Sequence, residues 1–144
     1  MSINQSERRN DRGVTLIELL VVMVIIALIT ALAAQRFFGK LEDANRTAAK
    51  NQISELEGAL DLFRLDVGRY PTGAEGLEAL RKKPSSAENW DGPYLKKDLP
   101  LDPWKKPFVY RFPGEHGDFD LMSFGPDGVE GGEGNSAADI VSWK

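Results

Sequence analysis

Apolar positions along this chain fall into two regimes, first a continuous run and then a periodic stripe. From Val14 to Ala34 the 21 residues are apolar apart from Thr15, Thr30 and a single charge, Glu18. Coiled as a helix they would be roughly 31 Å long, about the thickness of a bilayer's hydrocarbon core. Residues 1–13 before the run are polar and carry Arg8, Arg9 and Arg12 against Glu7 and Asp11. Arginines ahead of the run, and a folded part after it, predict the N-terminus in the cytoplasm and the C-terminus outside. Beyond Arg36 the pattern turns amphipathic. Ile53, Leu56, Leu60, Phe63 and Val67 alternate spacings of three and four, which marks one helical face. Leu41, Ala44 and Ala48 extend that stripe backward. No proline interrupts the chain from Val14 to Gly68, so one helix of about fifty residues is predicted, ended by Gly68 and Pro71.

The remainder reads as a small mixed domain. Thr72 and Glu75 fit a capping box opening a short helix to about Lys82, with Leu77 and Leu80 inward. Residues 83–107 hold five prolines and read as loop, with Trp90, Tyr94 and Trp104 as anchors to the core. Residues 108–112 and 119–123 read as strands joined across Pro113–Gly117, and residues 139–143 as a last short strand. The predicted fold is α+β: a long N-terminal helix, membrane half plus amphipathic half, packed on a small antiparallel sheet. Three parts follow: a leader at 1–13, a hydrophobic transmembrane and assembly helix at 14–35, and a globular part at 36–144.

Composition narrows the function classes. With 144 residues there is room for one modest core after the apolar run. A net charge of −4 offers no polybasic surface for nucleic acid. The chain has no cysteine, so disulfides, thiol catalysis and thiolate metal sites are excluded. Its one histidine, His116, sits in a glycine-flanked turn, and no nucleophile, base and orienting group assemble around it. An enzyme is not expected.

The small residue that could precede a cleavage, Gly13, lies before the apolar run, whereas an ordinary secretory signal is cut after it. Cutting after Gly13 would retain the apolar helix, beginning with a free amine at Val14. It would remove three arginines and two acids, leaving 15 basic against 20 acidic side chains. Glu18 is costly inside such a helix, roughly 2.5 kcal/mol or more at the bilayer centre, which points to a role. The plainer alternative is a side chain one turn in that reaches the headgroups.

The order Gly13-Val14-Thr15-Leu16-Ile17-Glu18, behind a basic leader and ahead of an apolar run, resembles the processing signature of type IV prepilins and pseudopilins. Val14 departs from it, because the family usually has phenylalanine or methionine there. Gln35 stands where many relatives carry a helix-kinking proline. The resemblance implies cleavage between Gly13 and Val14 by a prepilin peptidase and N-methylation of Val14. It also implies that Glu18 neutralises the N-terminal amine of a neighbouring subunit during assembly.

A second set of residues resembles the major pseudopilins of the type II secretion system over essentially the whole mature chain. It comprises Leu56-Glu57-Gly58-Ala59-Leu60-Asp61, Arg69-Tyr70-Pro71-Thr72, Gly76-Leu77, Asp102-Pro103-Trp104 and Gly125-Pro126-Asp127-Gly128. That resemblance implies a structural subunit, single-pass in the bacterial inner membrane with its C-terminal domain in the periplasm. Its homopolymer would be a helical filament, the pseudopilus, driving folded proteins across the outer membrane. Implied partners are the minor pseudopilins, the prepilin peptidase, the inner-membrane assembly platform with a cytoplasmic ATPase, and membrane lipid. A type IV pilin or a minor pseudopilin is the alternative. Pilins commonly close their C-terminal region with a disulfide, which this chain cannot form.

Residues 123–140 are rich in glycine and acids. By composition they are a mobile surface loop, and calcium, a hard cation wanting six to eight oxygens, is the alternative. The resemblance implies a structural Ca2+ held by the carboxylates of Asp127 and Asp139. Main-chain oxygens of Phe124 and Val129 would join them, with Ser136 as a further ligand.

Overall fold

A computed structural model describes residues 13–132 and 138–144 of the chain. The leader up to residue 12, and Ser136 with its neighbours 133–137, lie outside the described residues. The chain separates into two compact units, one ending at Gly39 and one from Lys40 to Lys144.

The helix α1 spans Leu16–Val67, 52 residues, continuous through Gln35 and Gly39. Thr15 caps its start: the Thr15 Oγ1 accepts the Glu18 N–H at 3.3 Å, satisfying one of the free donors of the first turn. In the first unit the apolar side chains from Val14 to Leu32 are exposed, and the Thr30 hydroxyl is satisfied within the helix by the Ile26 carbonyl at 2.7 Å. By length and composition this helix is able to cross a membrane.

In the second unit α1 buries Ala49, Ile53, Leu56, Ala59, Leu60 and Phe63. The stripe from Ile53 onward is the predicted one, with Val67 partly buried at its end. Its backward extension is not. Leu41 is 48% exposed, and Ala44 and Ala48 are exposed too. Stepping back from Ile53 by fours and threes leads through Ala49 to Arg46, Asn45 and Glu42, all at least half-buried. Leu41, Ala44 and Ala48 sit one residue out of that register, and one residue is about 100° around a helix. The core-facing side before Ala49 is polar, so hydrophobicity alone selects the wrong face there.

Against this stripe lies a three-stranded antiparallel sheet of order β1-β2-β3: β1 Val109–Arg111, β2 Asp120–Ser123 and β3 Ile140–Val141. Tyr110 pairs with Leu121, and Met122 with Val141. Central β2 is buried at all four positions. Leu121 and Ile140 join the α1 stripe, Leu80, Ala87, Leu95 and Phe108 in one core. All three strands fall inside the predicted segments and are shorter.

The capping box forms. The Thr72 N–H donates to Glu75 Oε2 at 2.7 Å, and the Glu75 N–H donates to Thr72 Oγ1 at 3.3 Å. It closes a turn rather than the expected helix to Lys82, because Gly76 takes φ 57°, a left-handed value that breaks helical continuation. A 3-10 helix, Leu77–Leu80, follows. Leu80 is fully buried and Leu77 partly. The Arg69 guanidinium forks onto Glu75 at 2.7 and 2.9 Å and, with help from Ser86 and Thr72, holds its carboxyl far below the usual carboxylate range.

The three aromatic anchors behave as predicted. Trp90 Nε1 donates to the Ala79 carbonyl at 2.8 Å, Tyr94 OH to Asp66 Oδ2 at 2.8 Å, and Trp104 Nε1 to Glu42 Oε2 at 3.3 Å. His116 is exposed, as a turn residue should be, yet it is engaged. Its ring lies flat on Trp143, centroids 4.0 Å apart, and its Nδ1 is 3.1 Å from the buried Asp120. Burial works to raise the Asp120 carboxyl, but the N–H groups of Glu115 and His116 and the imidazole outweigh it and keep it below its ordinary value.

Candidate functional site

Two places carry the predicted chemistry. At the N-terminal end Gly13, Val14 and Thr15 precede the helix, with Val14 exposed, so the predicted cleavage point lies on accessible, non-helical backbone. Glu18 stands in the first turn of α1. Thr15 and Glu18 have capping-box spacing, but only one half of the box is made: Thr15 receives the Glu18 N–H. Among the described residues no hydrogen bond or ion pair holds the Glu18 carboxylate. A lone acid near a helix N-terminus interacts favourably with the dipole. That leaves both of its oxygens available to a donor from outside the chain.

The second place is the loop between β2 and β3. Glycines at positive φ, among them Gly125 at 66° and Gly128 at 71°, turn the backbone in conformations that side chains with a Cβ disfavour. Asp127 Oδ1 accepts the Val129 N–H at 3.2 Å, an Asx turn over the first bend. Asp139 reaches back across the loop, where its Oδ2 accepts the Gly131 N–H at 2.9 Å. The other oxygen, Oδ1, is buried and has no hydrogen-bond partner. A buried carboxylate oxygen without a donor is costly, and a cation is one way of satisfying it. In this respect the residues fit calcium. Among the described residues no group of three or more acids, histidines or cysteines has metal-binding spacing. Among the described residues, an ion here would draw on two carboxylates and on backbone carbonyls, donors that calcium accepts.

Sequence reasoning missed two cations of the protein itself that hold this loop. Lys106 Nζ donates to the carbonyls of Gly125 at 3.1 Å and Pro126 at 2.8 Å. A Cβ on Gly128 would lie 2.6 Å from that ammonium and would displace the end of the Lys106 side chain, while φ itself favours glycine there. Arg46 donates twice, from both terminal nitrogens, to the Ala138 carbonyl at 3.1 and 2.9 Å. Glu42, one turn earlier on α1, lies 3.8 Å from Arg46. The available signal was register: Glu42 and Arg46 are polar residues on the core-facing side of the helix.

The family described as type II secretion system (T2SS), protein G matches residues 36–143, and the prokaryotic N-terminal methylation motif matches residues 8–34. Among similar proteins is the type II secretion system core protein G of Pseudomonas aeruginosa, 46% identical over 142 residues, 95% of this chain and 98% of that one. The corresponding protein of Vibrio cholerae is 42% identical, covering 94% and 93% of the two chains. A solved structure, the major pseudopilin from the type 2 secretion system of enterohaemorrhagic Escherichia coli, superimposes with a TM-score of 0.64. It is 39% identical and covers 74% of this chain and 92% of its own.

Proposed function

We infer the working role of this chain from a premise now in hand, that it belongs to the type II secretion system protein G family and is a major pseudopilin, a structural subunit and not an enzyme. The apolar helix and the methylation motif fit an inner-membrane-anchored pseudopilin. On our reading a prepilin peptidase cuts between Gly13 and Val14 and methylates the new amine. The C-terminal domain waits in the periplasm. Minor pseudopilins, an assembly platform and its ATPase then draw the helix out of the lipid into a homopolymer. The growing filament pushes folded proteins toward the outer membrane.

The observation that carries this reading is Glu18: among the described residues an unpartnered carboxylate, and the one charge in the apolar first stretch of α1, whose large hydrophobic side chains are exposed through Leu32. Water does not cover such a surface at low cost, so lipid must cover it first and sister helices afterwards. Overexpression of the full chain, electron microscopy of sheared cells and N-terminal sequencing test it together. Long filaments whose subunit begins at Val14 are expected. Filaments of normal form whose subunit still begins at Met1 would sink the processing step, and failure to form homopolymers would sink the major-subunit role.

We further propose a structural Ca2+ in the last loop, held by Asp127 and Asp139 with the carbonyls of Phe124 and Val129. Ser136, the remaining candidate, lies outside the described residues. When bound, calcium would neutralise the two carboxylates and tie the loop's ends together. A ligand bound only by the folded state, at a hundred times its dissociation constant, adds about 2.7 kcal/mol. Chelation of the full chain in detergent should therefore lower its melting temperature by several degrees. An unchanged melt in chelator would remove calcium from the account.

A further inference from the structure

The Ala138 carbonyl held by Arg46 belongs to the peptide directly before Asp139, whose Oδ1 is buried and without a hydrogen-bond partner. This contact joins residues 92 apart in sequence, from the polar core-facing side of α1 to the point where the loop enters β3. Two N–H donors on one oxygen fix the position of that peptide more tightly than a single donor would. With Oδ2 turned back to the Gly131 N–H, little freedom is left to the Asp139 side chain.

We propose that Arg46 is a positioning residue for the loop's divalent-cation site: by clamping the Ala138 carbonyl it holds Asp139 where its remaining oxygen meets the ion. This rests on the calcium reading given above. The charge of Arg46 does not set it against a cation, because Glu42 lies beside it at 3.8 Å. Arg46 touches no ion itself. It orders the peptide before the ion arrives, so that binding need not supply that ordering. Residues that orient metal ligands from behind typically change affinity 10–100-fold when replaced.

The test is calorimetric titration of calcium chloride into the full chain in detergent, stripped beforehand with chelator, as wild type, Arg46→Lys and Arg46→Gln. Positioning predicts a dissociation constant raised about tenfold or more by Arg46→Gln. Arg46→Lys, which keeps the charge but loses the fork, should raise it by a smaller factor. The melting temperature without calcium should move much less than the melting temperature with it. Wild-type affinity in both variants overturns the proposal. So does tighter binding by Arg46→Gln, which would mean that the guanidinium merely repels the ion. Should Arg46→Gln not fold, the lysine variant alone decides. A wild-type chain that binds no calcium removes the calcium reading, and this proposal with it.

Discussion

Replacing Glu18 with alanine is expected to leave the chain inserted and processed but unable to build filaments. The carboxylate is not needed for the helix start, because Thr15 caps the first turn through the Glu18 backbone N–H, which alanine retains. Insertion should become easier, since the one charge in the apolar run is removed. What disappears, on the pairing that the family resemblance implies, is the partner for a neighbouring amine. Within a bundle of apolar helices that amine would be left buried and unpaired, a defect worth about 3–5 kcal/mol when one member of a buried pair is deleted. Per subunit contact that is a factor of roughly 100 or more in the assembly constant, enough to empty a micrograph of filaments. Counting filaments in sheared fractions, with N-terminal sequencing of the membrane-bound pool, separates assembly from processing. Filaments at wild-type abundance from Glu18→Ala would leave the carboxylate with no role beyond its position near the headgroups.

The second large effect is expected at Asp102. The residue is 2% exposed and organises the turn that runs to Lys106. Oδ1 accepts the N–H groups of Trp104 at 3.0 Å and Lys106 at 2.8 Å, and Oδ2 accepts the Ser123 hydroxyl at 2.6 Å. Inside the turn Lys105 adopts φ 67°, a left-handed conformation costing roughly 1–2 kcal/mol for a residue with a Cβ. Ser123, itself fully buried at the end of β2, receives the Gly125 N–H at 3.2 Å. One carboxylate thus fastens the turn that presents Lys106 to the strand that leads into the last loop. Asp102→Ala should cost about 3 kcal/mol, from lost charge-assisted bonds and from donors left buried. For a domain near a hundred residues that is a fall in melting temperature of more than about ten degrees. Asp102→Asn keeps one acceptor and should lose about half as much. Thermal melts of the full chain in detergent, followed by tryptophan fluorescence, would read both. A shift of only a degree or two for Asp102→Ala would show that water replaces the carboxylate without penalty.

The two residues also show what the sequence could reveal. Glu18 announced itself because its surroundings are uniform: one acid in a run of hydrocarbon needs no tertiary contact to be conspicuous. The long helix, the stripe from Ile53 to Val67, the capping pair Thr72 and Glu75 and the three strands were legible for the same reason, being local patterns of spacing. Asp102, Arg46 and Lys106 were not. Each acts on a partner distant in sequence, and an aspartate before a proline, or a lysine beside another lysine, looks like ordinary surface chemistry. At Leu41, Ala44 and Ala48 the local pattern misled, because the domain uses polar residues, Glu42 and Arg46, on that stretch of its core-facing side. The helix predicted through Lys82 was lost to one glycine, Gly76, whose left-handed backbone no periodicity reports. In the last loop composition showed only glycines and acids and the family resemblance singled out the two aspartates, whereas the buried, partnerless oxygen of Asp139 is a feature of the folded chain.

A subunit that assembles into a pseudopilus must avoid polymerising through its sheet. Both outer strands here are poor templates. One has three residues, with Pro107 shortly before it and Pro113 shortly after, and the other has two. Proline offers no backbone donor, and so short an edge gives an incoming strand too few hydrogen bonds to offset its ordering. Packed side by side at high local density, such subunits have little opportunity to zip edge to edge into amyloid, and disordered aggregation by strand exchange is discouraged by architecture alone.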